Sequence, residues 1–197
     1  MFTVHSRLEV KPQSLYKSQK QQFTIRSGGT LIGMVEETVE SASSWKDQLL
    51  QLVSLHFLSS KNFCVTNAKA EPLAAFRKKR GLNQKVDLFD QHGNWMAVLE
   101  QKLKFSSQRL SVRDTAGRLL LTAEGRNGSL VFVVYAEGDP AFKLSTIKKR
   151  SIPYPTTKEA LTSMDHYEIA NDSALSEFQQ LLILMIPVIV FDQLHNA

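Results

Sequence analysis

Two short basic runs carry the most suggestive chemistry in this sequence: FRKKR at Phe76–Arg80 and IKKR at Ile147–Arg150. Guanidinium and ammonium groups gathered in one place make charge-assisted hydrogen bonds to phosphate or carboxylate oxygens, and Arg does so with a planar fork. Both runs close the second strand of an inferred hairpin. Arg77, Lys78, Lys79, Arg80, Lys148, Lys149 and Arg150 are therefore expected along one rim as an anion-binding set. The plainer role for the same residues is solvated charge that keeps strand edges from pairing with other chains.

Other chemistries find less support. His5, His56, His92, His166 and His195 show no i,i+4 pairing and no HExxH arrangement, so a metal site would need distant convergence. Cys64 follows Phe63 in an alternating run and reads as a small packed thiol rather than a nucleophile. The stretch SGG at Ser27–Gly29 is a turn, since no helix follows it to aim a dipole at phosphate. There is no GxSxG and no Gly-rich phosphate loop. Trp45 and Trp95 stand apart from the basic residues, which counts against stacking platforms for nucleic acid. The expectation is a chain that is not an enzyme and takes no cofactor.

The elements that must position these residues repeat along the chain. Segments starting at Phe63, Val86, Leu110 and Phe132, with an earlier one at Phe23, share one form: a short alternating apolar run, a polar turn, then a second run ending in charge. In the Val86 copy, Val86 and Leu88 alternate, Asp90 to Asn94 turn, and Trp95, Ala97 and Leu99 alternate again. Period two flanked by Asp, Gly and Asn is a hairpin signature. Five or six hairpins give about ten to twelve strands, which need a closed barrel or a sandwich to hide their edges. Residues 41–58 break the pattern; they fit a helix through Leu49, Leu52, Val53 and Phe57, or a strand through Leu50 and Leu52, and the reading favours strand or mixed structure.

The tail differs. Asn171, Asp172 and Ser173 are N-cap candidates, Ser176 and Glu177 suit a first turn, and a helix over about 174–194 follows. From Leu181 to Phe191 it is apolar on every side. Such a helix belongs in a protein's centre or in lipid. Spanning lipid takes about 20 apolar residues. Glu177, Gln179, Gln180 and Asp192 bound this run well short of that, with no basic cluster after it. A helix filling a barrel of short strands satisfies both elements together.

The 197 residues allow one sizeable domain, spanning 1–197. A hydrophobic share of 43% and a charged share of 22% fit an ordinary globular chain rather than a disordered one. A single cysteine excludes an internal disulfide, and the N-terminus lacks the features of a secretory signal, so a reducing, cytoplasmic setting is expected. The net charge of +5 and pI near 9.3 favour anionic partners mildly.

The serial F-x-V/I-x-D-x-x-G hairpins and the ending HYEIANDSALSEFQQLLILMIPVIVFDQL resemble the tubby C-terminal-like superfamily, which includes LURP-one-related proteins and phospholipid scramblases. Tyr167 and Ile169 resemble the strand before the family helix, and Val190–Asp192 the segment that closes it. The resemblance implies a mainly β fold: a closed antiparallel barrel of about 12 strands over about 2–170, enclosing a hydrophobic C-terminal helix. It also implies a binding or interaction module, with an anionic phospholipid headgroup or an acidic protein surface as partner, peripheral to a membrane. Scramblases add a proline-rich extension, a cysteine cluster and an acidic, calcium-linked segment. Here the matching NDSALSEF holds only Asp172 and Glu177 as acids, few for a calcium ion, so the compact LURP-one-related members are the nearer likeness. The alternative expectation is a scramblase-like membrane protein anchored by its C-terminal helix.

Overall fold

Strict alternation gives each strand one dry and one wet face, and a sheet of such strands must curl round its dry side. The computed structural model describes residues 5–13, 21–38, 60–79, 85–103, 107–126, 130–150, 166–172 and 175–195. Six strands occupy the first half: β1 (Arg7–Pro12), β2 (Gln22–Ser27), β3 (Thr30–Glu37), β4 (Lys61–Asn67), β5 (Pro72–Lys78) and β6 (Lys85–Asp90). Six more follow: β7 (Trp95–Leu103), β8 (Ser107–Asp114), β9 (Leu119–Arg126), β10 (Val131–Ala136), β11 (Lys143–Arg150) and β12 (His166–Asn171). Each pairs antiparallel with its chain neighbours, and β1 closes on β12 through Arg7↔Ala170, Leu8↔Ile169, Glu9↔Glu168 and Val10↔Tyr167. The result is a closed barrel of 12 strands, as the hairpin series predicts. Residues 41–58 lie outside the described residues.

The repeat seen in the sequence has a structural unit behind it. In the pairs Phe23/Ile25, Phe63/Val65, Val86/Leu88, Leu110/Val112 and Phe132/Val134 both side chains point inward and are buried. A β-bulge then follows in all five hairpins, at Ile25/Arg26, Val65/Thr66, Leu88/Phe89, Val112/Arg113 and Val134/Tyr135. The extra residue sharpens the local twist and sets up the turn. In three hairpins the turn opens on Asn67, Asp90 or Asp114, whose Oδ1 accepts the amide N–H groups two and four residues on. The residue three places on takes a positive φ: Ala70 at 62°, Gly93 at 83° and Gly117 at 81°. Glycine suits that conformation and alanine resists it.

Antiparallel succession puts all five of these turns at one end of the barrel, the turn end. The connections at the other end, the loop end, follow β1, β3, β5, β7, β9 and β11.

One helix among the described residues, α1 (Glu177–His195), fills the barrel. Leu182, Ile183, Leu184, Met185, Ile186, Val188, Ile189 and Val190 are each no more than 2% exposed. Successive helical residues step round by about 100°, so this run covers every side, and no side reaches water. The helix is capped by Ser176, whose Oγ accepts the Gln179 N–H at 3.1 Å while Gln179 Oε1 accepts the Ser176 N–H at 2.9 Å. This reciprocal box sits later than the caps expected at Asn171 to Ser173. Asn171 is instead the last residue of β12, and its Nδ2 donates to His5 O at 2.6 Å. Gln180 Oε1 accepts the His5 N–H at 3.0 Å, so strand and helix together clasp the chain entering β1. Among the described residues no helix is long and apolar enough to cross a membrane.

Candidate functional site

Alternation decides where each basic residue of the two runs can point. On β5, Ala74, Phe76 and Lys78 share the inward parity, and Lys78 is fully buried. Lys61 of β4 lies directly opposite it in register, also inward and buried. Arg77 points outward over the Phe89 ring at 5.1 Å, a cation–π contact. Lys79 pairs with the Asp87 carboxylate at 2.8 Å. On β11, Lys148 and Arg150 are exposed outward, while Lys149 takes the inward parity of Ile147 and is half-buried. Arg80 lies outside the described residues.

Both runs therefore end at the loop end, as expected of one rim. They are nevertheless six places apart in a ring of twelve, on opposite sides of the barrel. Strands about 4.8 Å apart close a ring roughly 20 Å across, beyond the reach of one phosphate. The inward lysines have a different geometry. The helix enters from the turn end, so its C-terminal half points towards the loop end, where Lys61 and Lys78 lie side by side and Lys149 stands across the ring.

Outward, the structure brings together a set that the sequence scatters. A groove of about 480 Å³ runs over the seam between β1 and β12, bounded by β2 on one side and β11 on the other. Arg7, Arg26, Lys148 and Arg150 line it with His166, Glu9 and Glu168. Across the strands the register reads Arg26, Glu9, Glu168, Lys148: cations at both walls, carboxylates along the floor. Like charges directly opposite each other are destabilising. Arg150 Nε meets Glu168 Oε2 at 3.0 Å, and His166 Nε2 lies 3.8 Å from Glu168 and 3.9 Å from Glu9, which spreads the negative charge. Arg7, Arg26 and Lys148 have no ion pair among the described residues. The β2–β3 turn borders the groove with Gly28 and Gly29, at φ 56° and 84°, and adds no side chain to obstruct it.

Lys148 and Arg150 are thus the two residues of the basic runs that line this groove. Arg7, Arg26, Glu9, His166 and Glu168 belong to neither basic run. They sit singly in alternating strands at opposite ends of the chain, and closure of β1 on β12 alone unites them. The signal available in the sequence was RLEVK at Arg7–Lys11, whose every second residue is charged.

Elsewhere the chemistry is quiet. Partial burial, helped by Glu36, raises the Cys64 thiol above its ordinary range and so disfavours the thiolate. Among the described residues, no group of three or more His, Cys, Asp or Glu could hold a metal ion.

No family model matches the sequence, and no curated protein matches it. A solved structure does: the X-ray structure of a protein from Arabidopsis thaliana aligns over 98% of this chain and 94% of that one, with a TM-score of 0.54 and 12% identity. At that identity the likeness concerns the fold.

Proposed function

We propose that this chain is a non-enzymatic binding module of the tubby-like, LURP-one-related kind, recognising an anionic phospholipid headgroup through the seam groove. The carrying observation is that Arg7, Arg26 and Lys148 face one cavity without an ion-pair partner among the described residues. The lining carries four cationic side chains, Arg7, Arg26, Lys148 and Arg150, against the two carboxylates of Glu9 and Glu168, and a phosphate would meet that surplus with charge-assisted hydrogen bonds. The headgroup-binding habit of tubby domains and the likeness of fold support the reading. The membrane-anchor alternative would withdraw α1 from the barrel and expose its whole core, which burial of that helix opposes.

Co-sedimentation with vesicles tests the proposal. Wild-type protein should bind phosphatidylcholine vesicles doped with phosphatidylserine more tightly than pure phosphatidylcholine, and less so as salt rises. Arg7→Ala/Arg26→Ala/Lys148→Ala should weaken that binding by about tenfold or more, since each charged hydrogen bond contributes about 1.5–3 kcal/mol. Arg77→Ala/Lys79→Ala, on the far side of the barrel, should leave it unchanged. Equal binding by wild type and the groove variant would overturn the reading.

A further inference from the structure

Five large apolar side chains are conspicuously exposed among the described residues: Leu31, Trp95, Leu130, Val131 and Phe142. Leu31, Trp95 and Phe142 lie singly towards the turn end, on β3, on β7 and in the β10–β11 turn. Isolated exposed apolar residues are ordinary. Leu130 and Val131 are different, being adjacent in sequence, 50% and 39% exposed, and placed at the loop end where β10 begins.

Their surroundings are cationic. Val131 is the direct cross-strand partner of Lys148, the cation on the β11 wall of the groove. Lys149 N donates to Leu130 O at 2.6 Å, which holds the aliphatic pair to the ladder instead of leaving it on a free loop. Arg150 follows on the same outer face. Aliphatic tips beside lysine and arginine match the two layers of an anionic bilayer surface, with the tips in the acyl boundary and the cations among the headgroups.

We infer that Leu130 and Val131 insert into an anionic phospholipid bilayer, so that the β10–β11 shoulder docks the barrel with its groove against the headgroups. This rests on the groove reading and commits it to lipid-borne phosphate over soluble phosphate. A headgroup in the groove would have its acyl chains leave past Lys148 towards the aliphatic pair.

The test uses the full chain and two probes: vesicles of phosphatidylcholine doped with phosphatidylserine, and phytate as a soluble polyphosphate. Leu130→Ser/Val131→Ser should bind the vesicles about tenfold more weakly, as expected for losing the burial of two partly exposed aliphatic side chains. Its phytate affinity should equal that of the wild type. Leu130→Trp should gain fluorescence quenching by brominated acyl chains beyond the wild-type signal. Unchanged vesicle binding, an equal loss towards both probes, or no gain in quenching overturns the docking face. The groove reading fails separately, when the Arg7/Arg26/Lys148 variant keeps wild-type affinity for phytate and for vesicles.

Discussion

The two ends of this barrel are built on different principles. At the turn end every hairpin carries a bulge, and three of the five turns use the same side-chain oxygen to hold two amides. The helix cap and the clasp on His5 lie there too. Short-range bonds in the turns and the helix cap, together with the long-range clasp on His5, fix that end. At the loop end the pairs β1–β2, β3–β4, β5–β6 and β7–β8 keep their register throughout the described residues, and Lys61, Lys78 and Lys149 lie there on β4, β5 and β11. One end is tied by turns, cap and clasp; the other keeps plain ladder register and carries the inward lysines. The proposed groove bridges the two, bordered by Gly28 and Gly29 of a turn on one side and lined by Lys148 and Arg150 towards the loop end.

The largest perturbation should strike both ends alike, through what they enclose. Truncation after Asp172 removes the buried stretch of α1. Each of those side chains contributes about 1.5–3 kcal/mol, and together they exceed the roughly 5–15 kcal/mol that holds a typical domain. The truncated chain should show no cooperative denaturant transition by circular dichroism. A cooperative, soluble barrel would mean that the ladder alone suffices.

Single turn positions should give smaller effects of opposite sign. Gly117→Ala places a side chain at positive φ and should cost about 1 kcal/mol in urea unfolding. Ala70→Gly, in the matching place of another turn, should relieve the same strain and stabilise by a few tenths to about 1 kcal/mol. Two losses would show that the turns are not equivalent.

The subtlest difference is in pH. Hydrogen bonds from the Asn94 side chain and backbone hold Asp90 below the usual carboxylate range. Desolvation pushes Asp114 up, but the Arg118 backbone and side-chain hydrogen bonds outweigh it, and its carboxyl also lies low. A carboxyl lowered on folding contributes stability that is complete above its unfolded value and lost as pH falls through its folded one. The unfolding midpoint should therefore fall below about pH 4. Asp90→Asn/Asp114→Asn should keep the turns, as Asn67 does, and flatten that acid decline.

The fold was largely legible because each hairpin writes its own instructions, two inward apolar residues and a polar turn, and in three of the five an Asx turn with a residue at positive φ. The helix was legible by its continuous apolar run, but not its cap, because Asn171 is diverted to the His5 carbonyl. The site was legible only in part. Adjacent lysines read as one cluster, yet alternation sends Lys78 inward and Lys79 outward, and the ring sets β5 opposite β11. No local pattern announces that Arg7 will lie beside Ala170.

That pairing gives the seam a second meaning. It is the ring's longest-range contact in sequence, so loop-closure entropy makes it slow to form. A ligand in the groove touches β2, β1, β12 and β11 together and can be held only after the ring has shut. By mass action, whatever occupies it stabilises the shut ring. An occupied groove would therefore also act as a latch, and melting of this protein should report on its occupant.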